Sequence, residues 1–117
     1  MKKIYTDFIK DIIDSINDVE LFVVNMSFEE FLQDRKTINA VIRSLEIIGE
    51  AAKKIPSEIR DKNATIQWKR IMGMRDKLIH EYFGVDLEIV WTVVKEELPP
   101  LKPMIMDILK DLEKESE

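Results

Sequence analysis

The stretch Arg35-Lys36-Thr37-Ile38-Asn39-Ala40-Val41-Ile42-Arg43-Ser44-Leu45-Glu46-Ile47-Ile48-Gly49-Glu50-Ala51-Ala52-Lys53-Lys54-Ile55 decides the fold. Its apolar residues recur every three or four positions, at Ile38, Val41, Ile42, Leu45, Ile48, Ala52 and Ile55. This period places them on one face of a helix, so the pattern predicts a core-facing helix over residues 35–55. Gly49 within it is either a tolerated surface glycine or, as we favour, a place where another helix approaches closely.

The same spacing predicts helices on both sides of this segment, over residues 2–24, 66–82, 87–97 and 101–113. Ser27-Phe28-Glu29-Glu30 has the form of a capping box and opens a short turn that ends near Gln33. Asp34 is placed to cap the central helix, and Asp86 is placed to cap the predicted helix over residues 87–97. Residues 57–63 are expected to form a short helical turn and a loop.

Glycine and proline mark the ends of the predicted helices. Pro56 should end the central helix, Gly84 should end the helix over 66–82, and Pro99-Pro100 should break the chain before the last helix. No segment alternates with period two strongly enough to predict a strand. We therefore predict an all-α fold, an up-and-down bundle of four main helices plus short helical pieces, in a single domain over residues 1–117.

Length and composition favour a helical globular protein. The chain has 117 residues, of which 45% are hydrophobic and 35% charged, and it contains no cysteine. Disulfides and thiolate metal sites are therefore excluded. No run approaches the roughly 20 apolar residues of a membrane span. Acidic and basic residues follow the N-terminal lysines at once, so no signal-peptide pattern is present, and we expect a cytoplasmic protein.

Charge is unevenly distributed along the chain. The net charge is −5, yet residues 53–77 hold eight basic and three acidic side chains, a local balance of +5 that leaves −10 for the remainder. The overall charge argues against general nucleic-acid binding, whereas a local positive face would attract phosphate. Ordinary solvated lysines beside a turn are the alternative interpretation.

The basic segment ends in Arg75-Asp76-Lys77-Leu78-Ile79-His80-Glu81-Tyr82, which carries the chain's single histidine. At helical spacing Arg75 falls on the inward stripe with Trp68 and Ile71. A guanidinium on such a stripe must find acceptors, because burying an unpaired charge costs several kcal/mol or more.

These residue types fit cleavage of RNA through its own 2′-hydroxyl. Histidine titrates near neutral pH and arginine offers a forked donor to phosphate oxygens, so His80 is a candidate acid or base and Arg75 a candidate stabiliser of the phosphorane. Asp76, four residues before His80, can orient the imidazole, and Tyr82 can stack on a base or contact a phosphate. The reaction needs no metal or other cofactor, and no ligand cluster for one is present.

One helix cannot easily bring both candidate catalytic residues together. Arg75 and His80 are five residues apart, which is roughly 140° around a regular helix axis. Unwinding of the helix end, bending of the arginine side chain, or a symmetric homodimer that sets two copies of the stretch across one cleft would solve this. From composition alone, a histidine near a helix end is more often a capping or surface residue.

Arg75-x4-His80-x-Tyr82 resembles the R-x4-H-x-Y signature of the HepT-like proteins of the HEPN superfamily. The resemblance extends along nearly the whole chain. It includes Phe28-Glu29-Glu30-Phe31-Leu32, the block from Ala40 to Ala52, the block from Trp68 to Asp76, His80-Glu81-Tyr82-Phe83-Gly84-Val85-Asp86 and Val90-Trp91. The bare motif is weakly specific, but its order among the other blocks is strongly specific.

The resemblance implies a dimeric helical bundle in which the motifs of two chains meet in a cleft. It implies a toxin with metal-independent endoribonuclease activity, paired with an MntA-like nucleotidyltransferase antitoxin that transfers AMP to the motif tyrosine, here Tyr82. Many family members carry asparagine after the motif arginine, where this chain has Asp76. That added carboxylate would repel RNA phosphates, yet it could also hold His80 protonated.

Two alternative functions remain open at this point. In the first, the bundle is a non-catalytic helical partner and substrate of a nucleotidyltransferase, and Arg75 and His80 only hold the dimer cleft together. The acidic surface outside residues 53–77 fits this alternative better than it fits a ribonuclease. In the second, Arg75 and Tyr82 bind a mononucleotide.

Overall fold

The computed structural model describes the backbone of residues 2–80 and 86–115, and their side chains from Tyr5 onward except those of Arg75 and residues 77–80. The helices are α1 (Lys2–Phe22), α2 (Phe28–Gln33), α3 (Arg35–Lys53), α4 (Ser57–Lys62), α5 (Trp68–His80), α6 (Leu87–Thr92) and α7 (Leu98–Glu115). A π-helical turn, Val93–Glu97, joins the last two. There is no strand in the described ranges, which confirms the predicted all-α class.

The central helix α3 organises the packing. It lies against α1 on one side and α5 on the other, while α7 packs on α1. The helices share one core, whose largest fully buried side chains are Ile9, Ile12, Ile16, Val19, Phe31, Val41, Leu45, Ile48, Ile55, Leu98, Ile105 and Ile108. Gly49 and Ala52 of α3 are also buried, as expected where neighbouring helices approach closely.

Three local caps form as the sequence predicts, and one of them is Asp86, which accepts bonds from the N–H groups of Glu88 and Ile89 at 3.0 and 3.3 Å. The hydroxyl of Ser27 accepts a bond from the N–H of Glu30 (3.1 Å), and the Glu30 carboxylate accepts one from the N–H of Ser27 (2.9 Å). Asp34 accepts bonds from the N–H and the hydroxyl of Thr37 at 3.0 and 2.7 Å. The N–H donors of Ser27 and Thr37 lower the pKa of the Glu30 and Asp34 carboxyls, because each bond favours the charged form.

Observed helix ends differ from the predicted ones by a few residues. The helix α1 ends at Phe22, and the chain turns through Asn25, which has a positive φ of 58°. Asparagine tolerates this left-handed conformation better than most residues do. The helix α3 ends at Lys53, so Ile55 lies beyond it, before Pro56. The helix α5 begins at Trp68, where the indole Nε1 donates to the carbonyl of Asn63 at 3.1 Å.

The predicted chain break at Pro99-Pro100 is wrong. The backbone stays helical from Leu87 to Glu115, with both prolines in the first turn of α7 and Pro103 inside it. Proline lacks an N–H and its ring crowds the carbonyl four residues back. The wider π-turn just before the prolines relieves this conflict, since the N–H of Leu98 bonds to the carbonyl of Val93, five residues back.

Candidate functional site

Arg75 and His80, the arginine and histidine of the candidate site, both belong to the helix α5. This helix packs against α3, and its residues Trp68 and Ile71 are buried in the core, while Met72 is half-buried. This confirms the first half of the predicted inward stripe. The side chains of Arg75 and His80 lie outside the described residues, as does the whole of Tyr82, so their placement in one site remains a prediction.

The backbone of α5 nevertheless fixes how positions 75 and 80 are related. The helix continues without interruption through His80. Because each residue turns the helix by about 100°, positions 75 and 80 are separated by roughly 140° around the axis. This excludes unwinding of the helix before His80 as a way to bring Arg75 and His80 together. A bent arginine side chain and a second copy of the chain remain.

Asp76, the residue that follows the motif arginine, is held by a lysine from another helix. The Nζ of Lys53, the last residue of α3, lies 3.0 Å from Oδ1 and 3.1 Å from Oδ2 of Asp76. The Lys53 side chain is 38% exposed and that of Asp76 is 49% exposed. The ammonium offsets the negative charge that Asp76 adds beside the motif. The partnership was not predicted from the sequence, since the two residues are 23 positions apart.

A second ion pair joins α5 to the π-turn. The guanidinium of Arg70 contacts the carboxylate of Glu97, with Nε 3.0 Å from Oε1 and Nη2 3.0 Å from Oε2. Two parallel contacts of this kind match the fork of arginine to a carboxylate. Beside the pair lies a groove of about 250 Å³ between α5 and the start of α7, lined by Ile71, Met74, Leu101 and other residues.

The outer side of α5 borders a basic depression. Arg60 of α4, together with Lys69 and Arg70 of α5, lines this shallow surface, whose acidic member is Asp61. Arg60 is anchored there by a contact of 3.4 Å from Nη1 to the sulfur of Met72. Lys69 is exposed, and the ion pairs that the structure shows among its described residues do not include it. Three of the eight basic residues of the sequence segment 53–77 therefore line this surface.

The described part of the chain contains neither a candidate metal site nor a membrane-spanning helix. No group of three or more histidine, aspartate or glutamate side chains is arranged there to hold a metal ion. In the same residues, no helix is both long and apolar enough to cross a membrane.

Comparison with known proteins identifies similar chains over almost the whole length. Residues 12–108 match the family described as "Ribonuclease HepT-like". A protein of Thermococcus cleftensis named "Probable ribonuclease HepT" is 49% identical over 102 residues, which is 87% of this chain and 93% of that protein. A Methanocaldococcus jannaschii protein named "Putative RNase" is 47% identical over 110 residues, 94% of this chain and 91% of the relative. No solved structure matches significantly.

Proposed function

Because this chain belongs to the HepT-like family of the HEPN superfamily, we propose that it is an endoribonuclease whose active site is built from Arg75 and His80. The observation that carries the proposal is the position of both residues on α5, the helix whose first half lines a basic surface, in a chain whose relatives are named as ribonucleases. A basic surface beside an acid–base group suits a polyanionic substrate.

The proposed reaction uses the RNA 2′-hydroxyl as nucleophile. The 2′-oxygen bonds to the adjacent phosphorus as the bond from phosphorus to the 5′-oxygen breaks, which leaves a cyclic phosphate and a 5′-hydroxyl. His80 either takes the proton from the 2′-hydroxyl, with water protonating the leaving 5′-oxygen, or gives a proton to that oxygen, with water taking the one from the 2′-hydroxyl. Arg75 donates to the phosphorane oxygens, where negative charge develops. No metal takes part in this scheme.

Asp76 and Tyr82 have supporting roles in the proposal. Asp76, one helical turn before His80, orients the imidazole and favours its protonated form. The Lys53 ammonium keeps this carboxylate from repelling the substrate. Tyr82 positions the RNA by stacking on a base or donating to a phosphate.

We further propose that the active form is a homodimer. The angle between positions 75 and 80 supports this arrangement, since a twofold axis lets Arg75 of one chain meet His80 of the other. Each dimer then holds two equivalent composite sites.

The decisive experiment measures RNA cleavage by the purified protein in EDTA. The wild-type chain is expected to cleave a single-stranded RNA under these conditions, and His80→Ala is expected to lose the activity. Asn39→Ala, at an exposed position of α3, is a suitable control prepared in the same way. Equal cleavage by the wild type and His80→Ala would point to a contaminating nuclease and contradict the proposal.

The biological role we propose is that of a toxin silenced by a nucleotidyltransferase antitoxin. In this proposal the partner transfers AMP to the hydroxyl of Tyr82, with pyrophosphate leaving, and the added phosphate blocks the RNA site. Co-expression with the candidate partner should add an AMP-sized mass to the intact chain, and Tyr82→Phe should remove it. Modification at Tyr82 without RNA cleavage by the unmodified form would favour the alternative function, in which this chain is a non-catalytic partner and substrate of the nucleotidyltransferase.

A further inference from the structure

Gly73 occupies the middle of α5, and no contact among the described residues requires a glycine there. Glycine is unfavourable in a helix interior, because it loses the most backbone freedom on folding. Close packing would explain it, as at the buried Gly49 of α3. Gly73, however, is exposed, and a Cβ built on it would meet no atom of the described residues within 4 Å, apart from its chain neighbours and the nearby backbone of α5 itself. The missing side chain therefore leaves open space on the outer surface of the helix.

The open space lies in line with the histidine position. By the 3.6-residue period, positions 69, 73, 76 and 80 follow one face of α5 over roughly 16 Å. The line begins at the exposed Lys69, beside the depression that Arg60 and Arg70 also line. It passes Gly73 and then Asp76, whose charge Lys53 offsets.

We infer that this face of α5 is the track along which single-stranded RNA reaches the active site, with the sugar-phosphate backbone lying directly on the helix at Gly73. This inference rests on the proposed function and names the path of its substrate. Lys69 contacts a phosphate at the far end of the track, and Gly73 admits the strand close to the helix backbone.

The charge at the Lys69 end of this face favours RNA over a second copy of the chain as the occupant there, while the proposed dimer places the partner chain at the His80 end. A twofold contact centred on this face would bring Lys69 and Arg60 of each chain towards the same residues of the other, because such interfaces pair identical surfaces. The charge of Arg70 is offset by Glu97 and adds little to this repulsion. Like charges brought together in this way oppose association. A polyanion meets the same surface with favourable charge and releases counterions.

The test introduces a methyl group at the proposed contact. Gly73→Ala should raise the melting temperature by a few degrees, because alanine is the better helix former. The same change should weaken binding of a fluorescently labelled single-stranded RNA several-fold, with a larger loss for Gly73→Leu. Binding is measured by anisotropy in the His80→Ala background, so that cleavage does not interfere, and cleavage is measured separately with His80 intact.

A matched control separates helix stability from contact with RNA. Asn17→Ala changes an exposed residue in the interior of α1, and it should raise the melting temperature while leaving RNA affinity unchanged. Stabilisation by Gly73→Ala with unchanged affinity and cleavage would overturn the inference. A shift in the monomer–dimer equilibrium of Gly73→Ala, with unchanged RNA affinity of the dimer, would assign the face to a second copy and overturn it equally.

The charge of the track is tested by salt dependence. Lys69→Gln should reduce the slope of log affinity against log salt by about 1, as expected for one lost phosphate contact. Lys110→Gln is the control, because this exposed lysine of α7 lies among Asp107, Asp111 and Glu113, and its loss should leave the slope unchanged. An unchanged slope for Lys69→Gln would contradict the inferred path.

The outcomes distinguish the track from the nuclease activity. RNA binding that depends on Gly73 and Lys69, without cleavage by the wild type, would support the track and reject the catalytic proposal. Cleavage by the wild type that neither substitution changes would support the catalytic proposal and reject the track. Absence of both RNA binding and cleavage would overturn both.

Discussion

The ammonium of Lys53 contacts both carboxylate oxygens of Asp76, at 3.0 and 3.1 Å, and so joins the end of α3 to the motif helix α5. Since both side chains are more than a third exposed, the pair adds at most about 1 kcal/mol to the free energy of unfolding. Its greater effect is electrostatic, because it sets a positive charge against the carboxylate that follows Arg75. In the proposed enzyme this makes a carboxylate compatible with a phosphate site.

Lys53→Gln is therefore expected to lower RNA cleavage while changing the melting temperature little. The substitution removes the ammonium that offsets the charge of Asp76, and the substrate phosphates are then repelled. Asp76→Asn introduced into Lys53→Gln should recover part of the lost kcat/KM, because it removes the repelling charge while the amide oxygen can still accept a bond from the His80 imidazole in the proposed site. Comparing the two single variants with the double variant gives the coupling between the residues.

Lys54→Gln controls for the loss of one positive charge in the same segment. The Nζ of Lys54 lies 5.3 Å from the centre of the Phe8 ring, and the contact between Lys53 and Asp76 is unaffected by its removal. A smaller loss of cleavage is expected than for Lys53→Gln. Equal losses in the two variants, with no recovery by Asp76→Asn, would show that Lys53 contributes only a positive charge to this segment and has no specific effect on Asp76.

The features that were predicted from the sequence are those that depend on neighbours along the chain. The capping box of Ser27 and Glu30 and the cap at Asp34 need only residues three positions away, and both formed as predicted. The core face of α3 follows from the helical period in the same way. Because these interactions join residues that are close in sequence, few other local conformations compete with the observed ones.

The features that were missed depend on tertiary context. Pro99-Pro100 is a strong helix-breaking signal, but the buried Leu98 and Ile105 hold α7 in line with the preceding helix, and a π-turn absorbs the conflict. The partnership of Lys53 with Asp76 arises only when α3 and α5 pack together. The exposure of Gly73 likewise depends on how α5 packs in the fold, which the sequence alone leaves unspecified.

The cap at Asp34 predicts a specific dependence of stability on pH. Its folded pKa lies below the ordinary value of 3.8, so the charged form is favoured in the folded state. The resulting stabilisation is fully present above about pH 3.8 and is lost as the pH falls through the folded pKa. The amide introduced by Asp34→Asn can still cap the helix but does not titrate, so the variant should lose less stability than the wild type in that range.

This difference is measured by thermal unfolding at neutral pH and at several values below pH 4. Other carboxylates also contribute to acid unfolding, so the informative quantity is the melting temperature of the wild type minus that of Asp34→Asn at each pH. That difference should fall as the pH is lowered. A difference that stays constant from neutral pH to below the folded pKa would show that the Asp34 charge has no linked effect on folding.

Mixing two inactive variants tests whether the active site is shared between chains. If Arg75 of one chain serves His80 of the other, Arg75→Ala and His80→Ala are each inactive, but their heterodimer holds one intact composite site. Random pairing of equal amounts makes about half of the dimers heterodimeric, each with one of two sites working, so the mixture should recover about a quarter of the wild-type activity. Activity is measured after the two chains have been unfolded and refolded together.

The mixture of Arg75→Ala with Arg75→Ala,His80→Ala is the matched control. None of its dimers contains an Arg75, so no composite site can form and no recovery is expected. If each chain instead used its own Arg75 and His80, every chain in the first mixture would lack one of the two, and that mixture would stay inactive as well. Recovery in the first mixture alone would therefore show that the roughly 140° between the two positions on α5 is bridged by a second chain.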